Sequence, residues 1–312
     1  MENSPMHVQS IPFLSDEAEL KLMDLHMHST ISDGTDTPEE ILSRVRDAGI
    51  PLFSVTDHDA AKAYEMIREV RKKADPYLIS GIEFSCRDEL GHYHILGYGF
   101  DPDSQPMKDV IEQGHRLRMK KVRARLDFLE NEFHFFFPEE EVQHLLSLDN
   151  PGKPHIGNLM VKYGYADTKE QAIAEYINKV RFRSEYVRPE EAIQGIIGAG
   201  GIPVLAHPPF GSGEQLILGD EMEERLRRLI GFGLQGVEAF YSGFTPKLKA
   251  ETLAFAEQYN LYITAGSDYH GKNKLVQLGN TGLRFIDSIP IGMKRFLEDL
   301  FCKPMVSGQG IN

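Results

Sequence analysis

The sequence predicts an α/β fold in which largely parallel strands form a seven-stranded barrel, with a helical insertion interrupting the barrel. Strand-like and helix-like segments alternate before and after residues 107–186, and that stretch itself is helix-like and polar with no convincing strand. Such alternation indicates a largely parallel sheet covered by helices. Because no G-x-G-x-x-G motif follows the first predicted strand, a barrel is favoured over an open dinucleotide-binding sheet.

The predicted elements begin after residues 1–20, which show no periodicity and are interpreted as an N-terminal arm. The first helix has an N-cap at Thr37, a proline at its first position and Glu40 three residues after the cap, and Gly49 ends it. Further helices are predicted over about 60–74, 189–199, 220–231, 246–258 and 290–301. The seven predicted strands are Leu22–His26, Leu52–Thr56, Tyr77–Ile82, Tyr93–Gly99, Ile202–Ala206, Gly236–Phe240 and Leu261–Ala265.

The domain organisation follows from the interruption. Residues 1–106 and 187–312 are expected to form the barrel domain, and residues 107–186 an insertion that caps the active site. Only residues 84–93 separate Glu83 from His94, too few for a helical crossover, so the third and fourth strands are predicted to form an antiparallel hairpin. In that hairpin His94 lies beside Glu83.

Composition excludes several classes of protein. The net charge of −13 argues against a protein that coats nucleic acid with its whole surface. Two cysteines, Cys86 and Cys302, are too few for a disulfide scaffold or a thiolate metal site. No apolar run is long enough for a membrane span, and the N-terminus lacks a signal-peptide pattern, so a cytoplasmic location without membrane partners is expected. The oligomeric state is not predicted.

Histidines and carboxylates concentrate at the ends of the predicted strands. Residues two apart in an extended chain point the same way, so His26 and His28 project side by side. In parallel α/β folds the strand ends meet on one face, where active sites form. A lone histidine is more often structural, but a whole cluster of titratable groups is costly without a compensating cation. The side chains in question are His26, His28, Asp33, His58, Glu83, His94, His207, Asp268 and His270.

The mixture of imidazole and carboxylate suits zinc, manganese or iron better than magnesium or calcium, which prefer oxygen ligands. Nine ligands exceed the capacity of one ion, so two or three divalent transition metal ions (Mn, Zn or Fe) are expected. Asp57 and Asp59 flank His58 and are expected to orient ligands. For Glu238, a simple structural role is favoured over support of the metal site.

The motifs D-L-H-x-H-S-x-x-S-D-G from residue 24, T-D-H-D from 56, G-x-E from 81, H-I-L-G-Y-G from 94, A-H-P from 206 and G-S-D-x-H from 266 resemble, in this order, the PHP (polymerase and histidinol phosphatase) family. The match is densest over residues 23–100 and 187–285. The resemblance implies a distorted seven-stranded (β/α) barrel with a trinuclear site, in which Asp33, His58 and His270 are catalytic. It assigns one metal to His26, His28, Glu83 and Asp268, a second to Asp33, His58 and His270, and a third to Glu83, His94 and His207.

The insertion is similar to that of a subfamily containing 3′,5′-nucleotide bisphosphate phosphatases and 5′-to-3′ exoribonucleases, which grip phosphate with R-x-x-R and R-x-H segments. Here the corresponding positions are His115 and Arg118, then Lys153 and His155, so two arginines are replaced and the two-pronged guanidinium contact is lost there. Six basic residues crowd positions 116–125, either as a solvated helix face or as a phosphate site. Helical spacing places three of them on one face. The expected substrate-binding residues are His115, Arg118, Lys121, Arg125, Lys153 and His155.

The resemblance implies a hydrolase that cleaves a phosphate monoester of a small metabolite or nucleotide, such as a 3′,5′-nucleotide bisphosphate, using a hydroxide activated by metal. Two alternatives remain. A 5′-to-3′ exoribonuclease on short RNA would use the same site with a longer groove. A non-catalytic, metal-binding regulatory module is disfavoured because the ligand set is complete. The expected partner is a small phosphorylated substrate, with short RNA as the second possibility.

Overall fold

A computed structural model describes residues 23–182, 184–211, 216–283 and 289–302 of the chain. These residues form a mixed α/β fold with one five-stranded and one two-stranded sheet. The predicted N-terminal arm lies outside the described residues. In the described part, no helix has the length and apolar character needed to cross a membrane. The strands are β1 (Leu52–Phe53), β2 (Tyr77–Leu78), β3 (Gly81–Asp88), β4 (Gly91–Tyr98), β5 (Ile202–Leu205), β6 (Gly236–Tyr241) and β7 (Tyr262–Gly266).

The five-stranded sheet has the order β3-β4-β5-β6-β7. Strands β5, β6 and β7 are parallel, as strand–helix alternation predicts, whereas β4 is antiparallel to both of its neighbours. The predicted hairpin of β3 and β4 is confirmed, with Ser85 opposite His94 and Glu83 opposite Leu96. Its short connection leaves Glu83 and His94 on one face of the sheet. The separate pair, β1 and β2, is parallel.

The first predicted strand differs from the prediction. Its described residues, from Met23 onward, form only isolated bridges, of which one pairs Asp24 with Phe53. The Asp24 carboxylate accepts hydrogen bonds from the backbone amides of Ser267 at 2.9 Å and Gly279 at 2.7 Å. These contacts to a side chain take the place of some of the backbone hydrogen bonds that a regular strand would make. The third predicted strand is divided into β2 and β3. The named strands therefore form two sheets and not one closed seven-stranded barrel.

The helices follow the predicted order, with shifted ends. The first helix has the predicted capping box, since Thr37 Oγ1 accepts from Glu40 N at 3.2 Å and Glu40 Oε2 accepts from Thr37 N at 2.8 Å. The helix predicted over 60–74 is shorter because Arg71 takes an extended conformation. The helices are α1 (Pro38–Asp47), α2 (Lys62–Val70), α3 (Gln105–Phe133), α4 (Glu139–Ser147), α5 (Lys153–Lys162), α6 (Lys169–Gln171), α7 (Pro189–Gly198), α8 (Gly219–Gly231), α9 (Pro246–Gln258) and α10 (Ile291–Cys302).

Three groups of buried apolar side chains form the interior. The largest packs the five-stranded sheet against α7, α8 and α10, and the second lies beneath α1 and α2. Every buried member of the third group lies between Val122 and Ile177, so α3, α4, α5 and the turns that follow α6 share a core of their own. This third core includes Leu129, Ile156 and Met160, each almost wholly removed from solvent. The helical segment thus has an interior of its own, although Met107 and Val110 at the start of α3 pack into the core of the sheet.

Candidate metal centre

The carboxylate of Glu83 lies at the centre of a cluster of histidines. Its two oxygens are between 2.9 and 3.4 Å from a ring nitrogen of each of five histidines. The five histidines come from four separate segments of the chain, and they are His26, His28, His58, His94 and His207. Asp33, Asp268 and His270 complete the cluster, with His270 Nε2 3.4 Å from Asp33 Oδ1. All nine predicted side chains are therefore brought together.

Four overlapping groups in this cluster have ligand atoms within 4.8 Å of one another, close enough to hold an ion. One joins Asp33, His58 and His270 with His28, and another joins Glu83, His94 and His207. These two contain the residues expected for the second and third metals. The set expected for the first metal is spread over two groups, His26, His28 and Glu83 in one and His26, His207 and Asp268 in the other.

Backbone geometry at the strand ends aims several of these side chains. His207, directly after β5, has φ of 26°, and Asp268, after β7, has φ of 57°. Asp59, beside His58, has φ of 52°. Non-glycine residues adopt such left-handed conformations at an energetic cost, and they do so most often at functional sites. The backbone is therefore locally strained at these three positions, and the strain helps to set the direction of the polar side chains there.

Buried polar atoms without hydrogen-bond partners show that the cluster suits cations. Among the described residues, these include His26 Nε2, His28 Nε2 and Glu83 Oε1. His94 Nδ1 and His207 Nδ1 belong to the same set. Leaving one such atom unpaired costs about 1–3 kcal/mol, and the cluster has several. Divalent transition metals accept this mixture of imidazole and carboxylate, and their coordination would satisfy the orphaned atoms.

Electrostatics keep the carboxylates charged. Burial alone would raise the pKa of Glu83, but the surrounding histidines hold it well below its usual range. Asp33 and Asp268 show the same pattern, with pKa values held low by neighbouring histidines despite burial. Burial lowers the pKa of His58 to about 3, so its ring is neutral at pH 7. The rings of His26 and His28 instead have raised pKa values despite burial, because carboxylates including Glu83 and Asp268 surround them. Metal binds ionised carboxylates and neutral imidazoles, so an ion would displace the protons of these two rings.

Glu238 supports the cluster from beneath, although a simple structural role was expected for it. Its Oε1 lies 3.0 Å from His26 Nδ1, and its Oε2 accepts a 2.9 Å hydrogen bond from His207 N. The side chain is fully buried. A carboxylate behind a histidine fixes the ring orientation and makes the opposite nitrogen a better ligand. Glu238 therefore directs His26 Nε2 towards Glu83 and Asp268.

Asp57 holds the loop that carries Asp33 and does not contact a histidine ring by hydrogen bond. It accepts from Ser29 N at 2.7 Å, and from the hydroxyls of Ser29 and Ser32 at 2.6 Å each. Asp59 instead accepts from Arg118 Nε at 2.9 Å and Nη2 at 2.7 Å. The two acids that flank His58 therefore have different partners. Asp57 binds the loop that contains Ser29 and Ser32, and Asp59 binds Arg118 of α3.

Two further side chains contact the cluster that sequence reasoning missed. Tyr241 OH donates a 2.8 Å hydrogen bond to Asp268 Oδ2, and Lys274 Nζ donates to the same oxygen. Lys274 Nζ also lies 2.9 Å from Tyr241 OH. Tyr241 is the last residue of β6, so its place at a strand end was the available signal. Lys274 follows the G-S-D-x-H motif by four residues, and nothing in the sequence pattern distinguished it.

The predicted substrate-binding residues fall into different environments. His155 Nδ1 accepts from Gly152 N at 3.0 Å, so in the neutral ring the other nitrogen holds the proton. Burial lowers the pKa of His155, and the negative charge of Asp33 opposes that shift. Arg118 is occupied by Asp59 and by Ser85 Oγ at 3.0 Å. Lys153 Nζ donates to Asn178 Oδ1 at 2.6 Å.

The other three predicted residues, His115, Lys121 and Arg125, contact side chains outside the set of nine. His115 Nδ1 is 3.2 Å from Asn150 Oδ1 and lines a cavity of about 340 Å³ whose lining includes none of the nine. Lys121 Nζ lies 3.6 Å above the ring of Tyr186. Arg125, like Lys121, is almost fully buried on the inner side of α3. The spacing argument for a shared helix face is confirmed, since Arg118, Lys121 and Arg125 are all buried.

Comparison with known proteins identifies the family. The model of the PHP domain family matches residues 24–275. The chain belongs to the PHP family. The curated relatives include the phosphoribosyl 1,2-cyclic phosphate 1,2-diphosphodiesterase of Eggerthella lenta, 29% identical over 80% of this chain and 94% of that protein. A 5′-3′ exoribonuclease of Haemophilus influenzae is 26% identical over 86% of this chain and 97% of that one. The 3′,5′-nucleoside bisphosphate phosphatase of Chromobacterium violaceum is 26% identical over 80% and 87%.

Solved structures agree. A proposed metal-dependent phosphoesterase from Bifidobacterium adolescentis matches with a TM-score of 0.73 and 27% identity, over 85% of this chain and 93% of that one. An amidohydrolase from Chromobacterium violaceum matches in fold with a TM-score of 0.71 and 23% identity, over 89% and 96%. This PHP protein is a metal-dependent phosphoesterase, a hydrolase of phosphate ester bonds, as the sequence predicts.

Replacing Glu238 by glutamine is expected to lower the affinity for Mn²⁺ or Zn²⁺ by about tenfold to a hundredfold. Glutamine fills the same space but removes the negative charge behind His26. Competition with a chromogenic chelator measures the change. The matched control is Glu257→Gln on exposed α9, which should bind metal as the unmodified protein does. Equal metal affinity in the two variants would contradict the assigned role of Glu238.

Proposed function

We propose that this PHP protein is a phosphatase that removes a phosphate monoester from a small phosphorylated metabolite or nucleotide, for which a 3′,5′-nucleotide bisphosphate is our choice. The observation that supports this most directly is the buried ligand cluster around Glu83, in which ring nitrogens of five histidines lie between 2.9 and 3.4 Å from its carboxylate oxygens. One relative is a 3′,5′-nucleoside bisphosphate phosphatase. Two or three divalent ions, Mn, Zn or Fe, would occupy the cluster in this proposal.

The proposed ligand sets follow the contacts already described. One ion would be held by His26, His28, Glu83 and Asp268, a second by Asp33, His58 and His270, and a third by Glu83, His94 and His207. When bound, such ions supply Lewis acidity that generates hydroxide near neutral pH and stabilises charge on phosphate. Asp33, His58 and His270 are proposed as catalytic. Their side chains are 12–13% exposed and that of His94 is 20% exposed, whereas those of His26 and His28 are fully buried. The cluster therefore opens to substrate on the side of these four residues.

We also propose that residues 107–186 form the capping domain, with residues 1–106 and 187–312 as a distorted seven-stranded (β/α) barrel. The separate apolar core within 122–177 supports an insertion. Leu25 N donates to Ala265 O at 3.0 Å and Asp24 N to Leu52 O at 3.0 Å, so residues 24–25 join β7 to β1 as closure would require. Lys169 Nζ donates to Asn273 O at 2.9 Å, and Asn273 Nδ2 to Asp33 O at 2.8 Å, which ties the cap to the cluster.

Within this proposal, His155 and the inner face of α3 supply the phosphate contacts of the cap. The protonated ring nitrogen of His155 can donate to a phosphate oxygen beside Asp33. Arg118 contributes a fixed positive charge next to Ser85, although Asp59 takes its guanidinium. The other predicted contacts, His115, Lys121, Arg125 and Lys153, stay predictions of substrate binding.

A second candidate function is 5′-to-3′ cleavage of short RNA. Two observations favour keeping it: exoribonucleases are among the relatives, and a row of buried cations extends along α3 beyond the cluster. The net charge of −13 weighs against a long nucleic-acid track, because phosphate contacts dominate such binding. A small nucleotide with one or two phosphates needs less basic surface, so the phosphatase is preferred.

The test compares 3′-phosphoadenosine 5′-phosphate with a short 5′-phosphorylated RNA, using protein loaded with Mn²⁺ or Zn²⁺. The phosphatase proposal expects inorganic phosphate from the first substrate and little shortening of the second. Mononucleotides released stepwise from the RNA, with no phosphate from the bisphosphate, would establish the exoribonuclease instead. Turnover of neither would contradict both and favour a metal-binding regulatory role. Protein stripped by a chelator is the control, and it should be inactive.

A further inference from the structure

The two oxygens of the Asp268 carboxylate have different neighbours. Oδ1 lies between 3.4 and 3.5 Å from a ring nitrogen of each of three histidines in the metal cluster. Oδ2 instead accepts hydrogen bonds from Tyr241 OH at 2.8 Å and from Lys274 Nζ. The carboxylate is therefore divided, with expected metal ligands around one oxygen and two hydrogen-bond donors on the other.

The chemistry of Tyr241 and Lys274 allows only one arrangement of the protons. A lysine ammonium has three donors and no acceptor, so Lys274 donates to the phenolic oxygen of Tyr241 across their 2.9 Å contact. The single hydroxyl proton of Tyr241 then goes to Asp268 Oδ2. A second N–H of Lys274 is donated to the same carboxylate oxygen. Because a carboxylate oxygen has two lone pairs, these two hydrogen bonds fill the acceptor capacity of Oδ2.

The surrounding chain holds both donors in place. Tyr241 is the buried last residue of β6, and its ring centre is 5.3 Å from that of His207. Lys274 follows Asn273, whose side-chain amide donates to Asp33 O at 2.8 Å and so fixes this loop against the first loop of the cluster. Lys274 Nζ also lies 5.2 Å from the centre of the Tyr241 ring. Both donors are thus tied to segments that carry metal ligands.

We propose that Tyr241 and Lys274 are positioning residues that make Asp268 bind metal through Oδ1 alone. Groups behind a ligating carboxylate fix its orientation, and an oxygen whose lone pairs are occupied is not available to an ion. A carboxylate that binds through one oxygen leaves a coordination position for water or substrate, as catalytic metal sites require. This role does not depend on which phosphate ester the protein cleaves.

The variant Tyr241→Phe removes the phenolic hydroxyl but keeps the ring, so Oδ2 regains a lone pair. The affinity for Co²⁺ is expected to fall about tenfold, because Asp268 is no longer held in its binding orientation. The visible absorption per bound Co²⁺ should also weaken, since Oδ2 can join Oδ1 on one ion and raise its coordination number. Addition of Co²⁺ to metal-free protein, followed by visible absorption, measures both quantities.

The matched control for this variant is Tyr262→Phe, at the start of β7. The hydroxyl of Tyr262 also donates to a carboxylate, that of Asp299, which is not one of the nine side chains. Tyr262→Phe therefore loses the same kind of hydrogen bond at a different place. Its Co²⁺ affinity and its absorption per ion should equal those of the unmodified protein.

The second donor is tested by Lys274→Met, which should weaken the absorption per ion in the same way. Lys274→Arg keeps the charge and the N–H donors, and should retain most of the unmodified absorption. Lys272→Met is the control in the same loop, because Lys272 is exposed. An effect confined to Lys274→Met would identify the lost donor, and not the loop, as its cause.

The absorption per ion separates a positioning role from a purely structural one. A chain that is merely less stable would bind less Co²⁺ with an unchanged absorption per bound ion, and that result in Tyr241→Phe would overturn the proposed role. If the unmodified protein bound no Co²⁺, the metal centre and the role of Tyr241 and Lys274 would fail together. Phosphate release has no part in the measurement, so a wrong choice of substrate would leave its result unchanged.

Discussion

Glutamine at position 83 is expected to reduce turnover at least about a hundredfold and to remove most of the bound metal. The Glu83 carboxylate approaches five histidines, with the shortest contact 2.9 Å to His94 Nδ1. A carboxamide has one acceptor oxygen and no charge, so it cannot bridge several cations or balance their charge. The kcat at saturating Mn²⁺ and the metal content of the purified variant give the two measurements.

The control for this variant is Glu89→Gln, in the turn of the same hairpin. Glu89 is exposed and contacts Arg188 and Arg228, and exposed ion pairs contribute little to stability. The Glu89 variant should therefore keep its metal and its turnover. Normal turnover and full metal content in Glu83→Gln would show that the carboxylate does not bridge ions, and the three-metal arrangement would have to be abandoned.

Removal of metal by a chelator is expected to abolish phosphate release and to lower the midpoint of thermal unfolding by several degrees. Metal that binds only the folded chain adds about 4 kcal/mol to the free energy of unfolding when its free concentration is a thousand times Kd. Without it, the buried carboxylates of Asp33, Glu83 and Asp268 face several buried ring nitrogens that lack partners. Differential scanning fluorimetry with and without added Zn²⁺ or Mn²⁺ measures the shift.

Glu83→Gln also provides the reference for this second result. If the stabilisation comes from ions at the cluster, the variant should gain much less from added metal than the unmodified protein does. Stabilisation of equal size in both proteins would place the bound ions elsewhere on the chain. Unfolding that does not depend on metal in the unmodified protein would argue that the cluster is satisfied without cations.

The gathering of the nine side chains could be predicted because it depends on local regularities. A period of two aims His26 and His28 together, and the strand ends of an alternating α/β chain share one side of the sheet. The hairpin argument for His94 used only the ten residues between it and Glu83. In each case the relevant geometry follows from a short stretch of chain. That is why a single sequence was sufficient for these positions.

Features that depend on distant pairing were not predictable in the same way. The contact between Glu238 and His26 joins residues 212 apart, and nothing near Glu238 indicates which side chain it will meet. The segment from Met23 forms bridges and not a regular strand, because its pairing depends on β1 and β7 as well as on its own residues. Helical spacing placed Arg118 on the inner side of α3, but only the folded chain shows that Asp59 occupies it.

The left-handed backbone at His207 and Asp268, and at Asp59 next to His58, makes this ligand set difficult to transplant. A designer who copied the nine side chains onto regular strand ends of another scaffold would aim these positions differently, since ordinary L-residues avoid such dihedral angles. The receiving scaffold would also have to supply the turns and offset an energetic cost on the order of 1–3 kcal/mol at each of them. In this protein, the geometry of the ligand set depends on the backbone conformation of the loops that carry it.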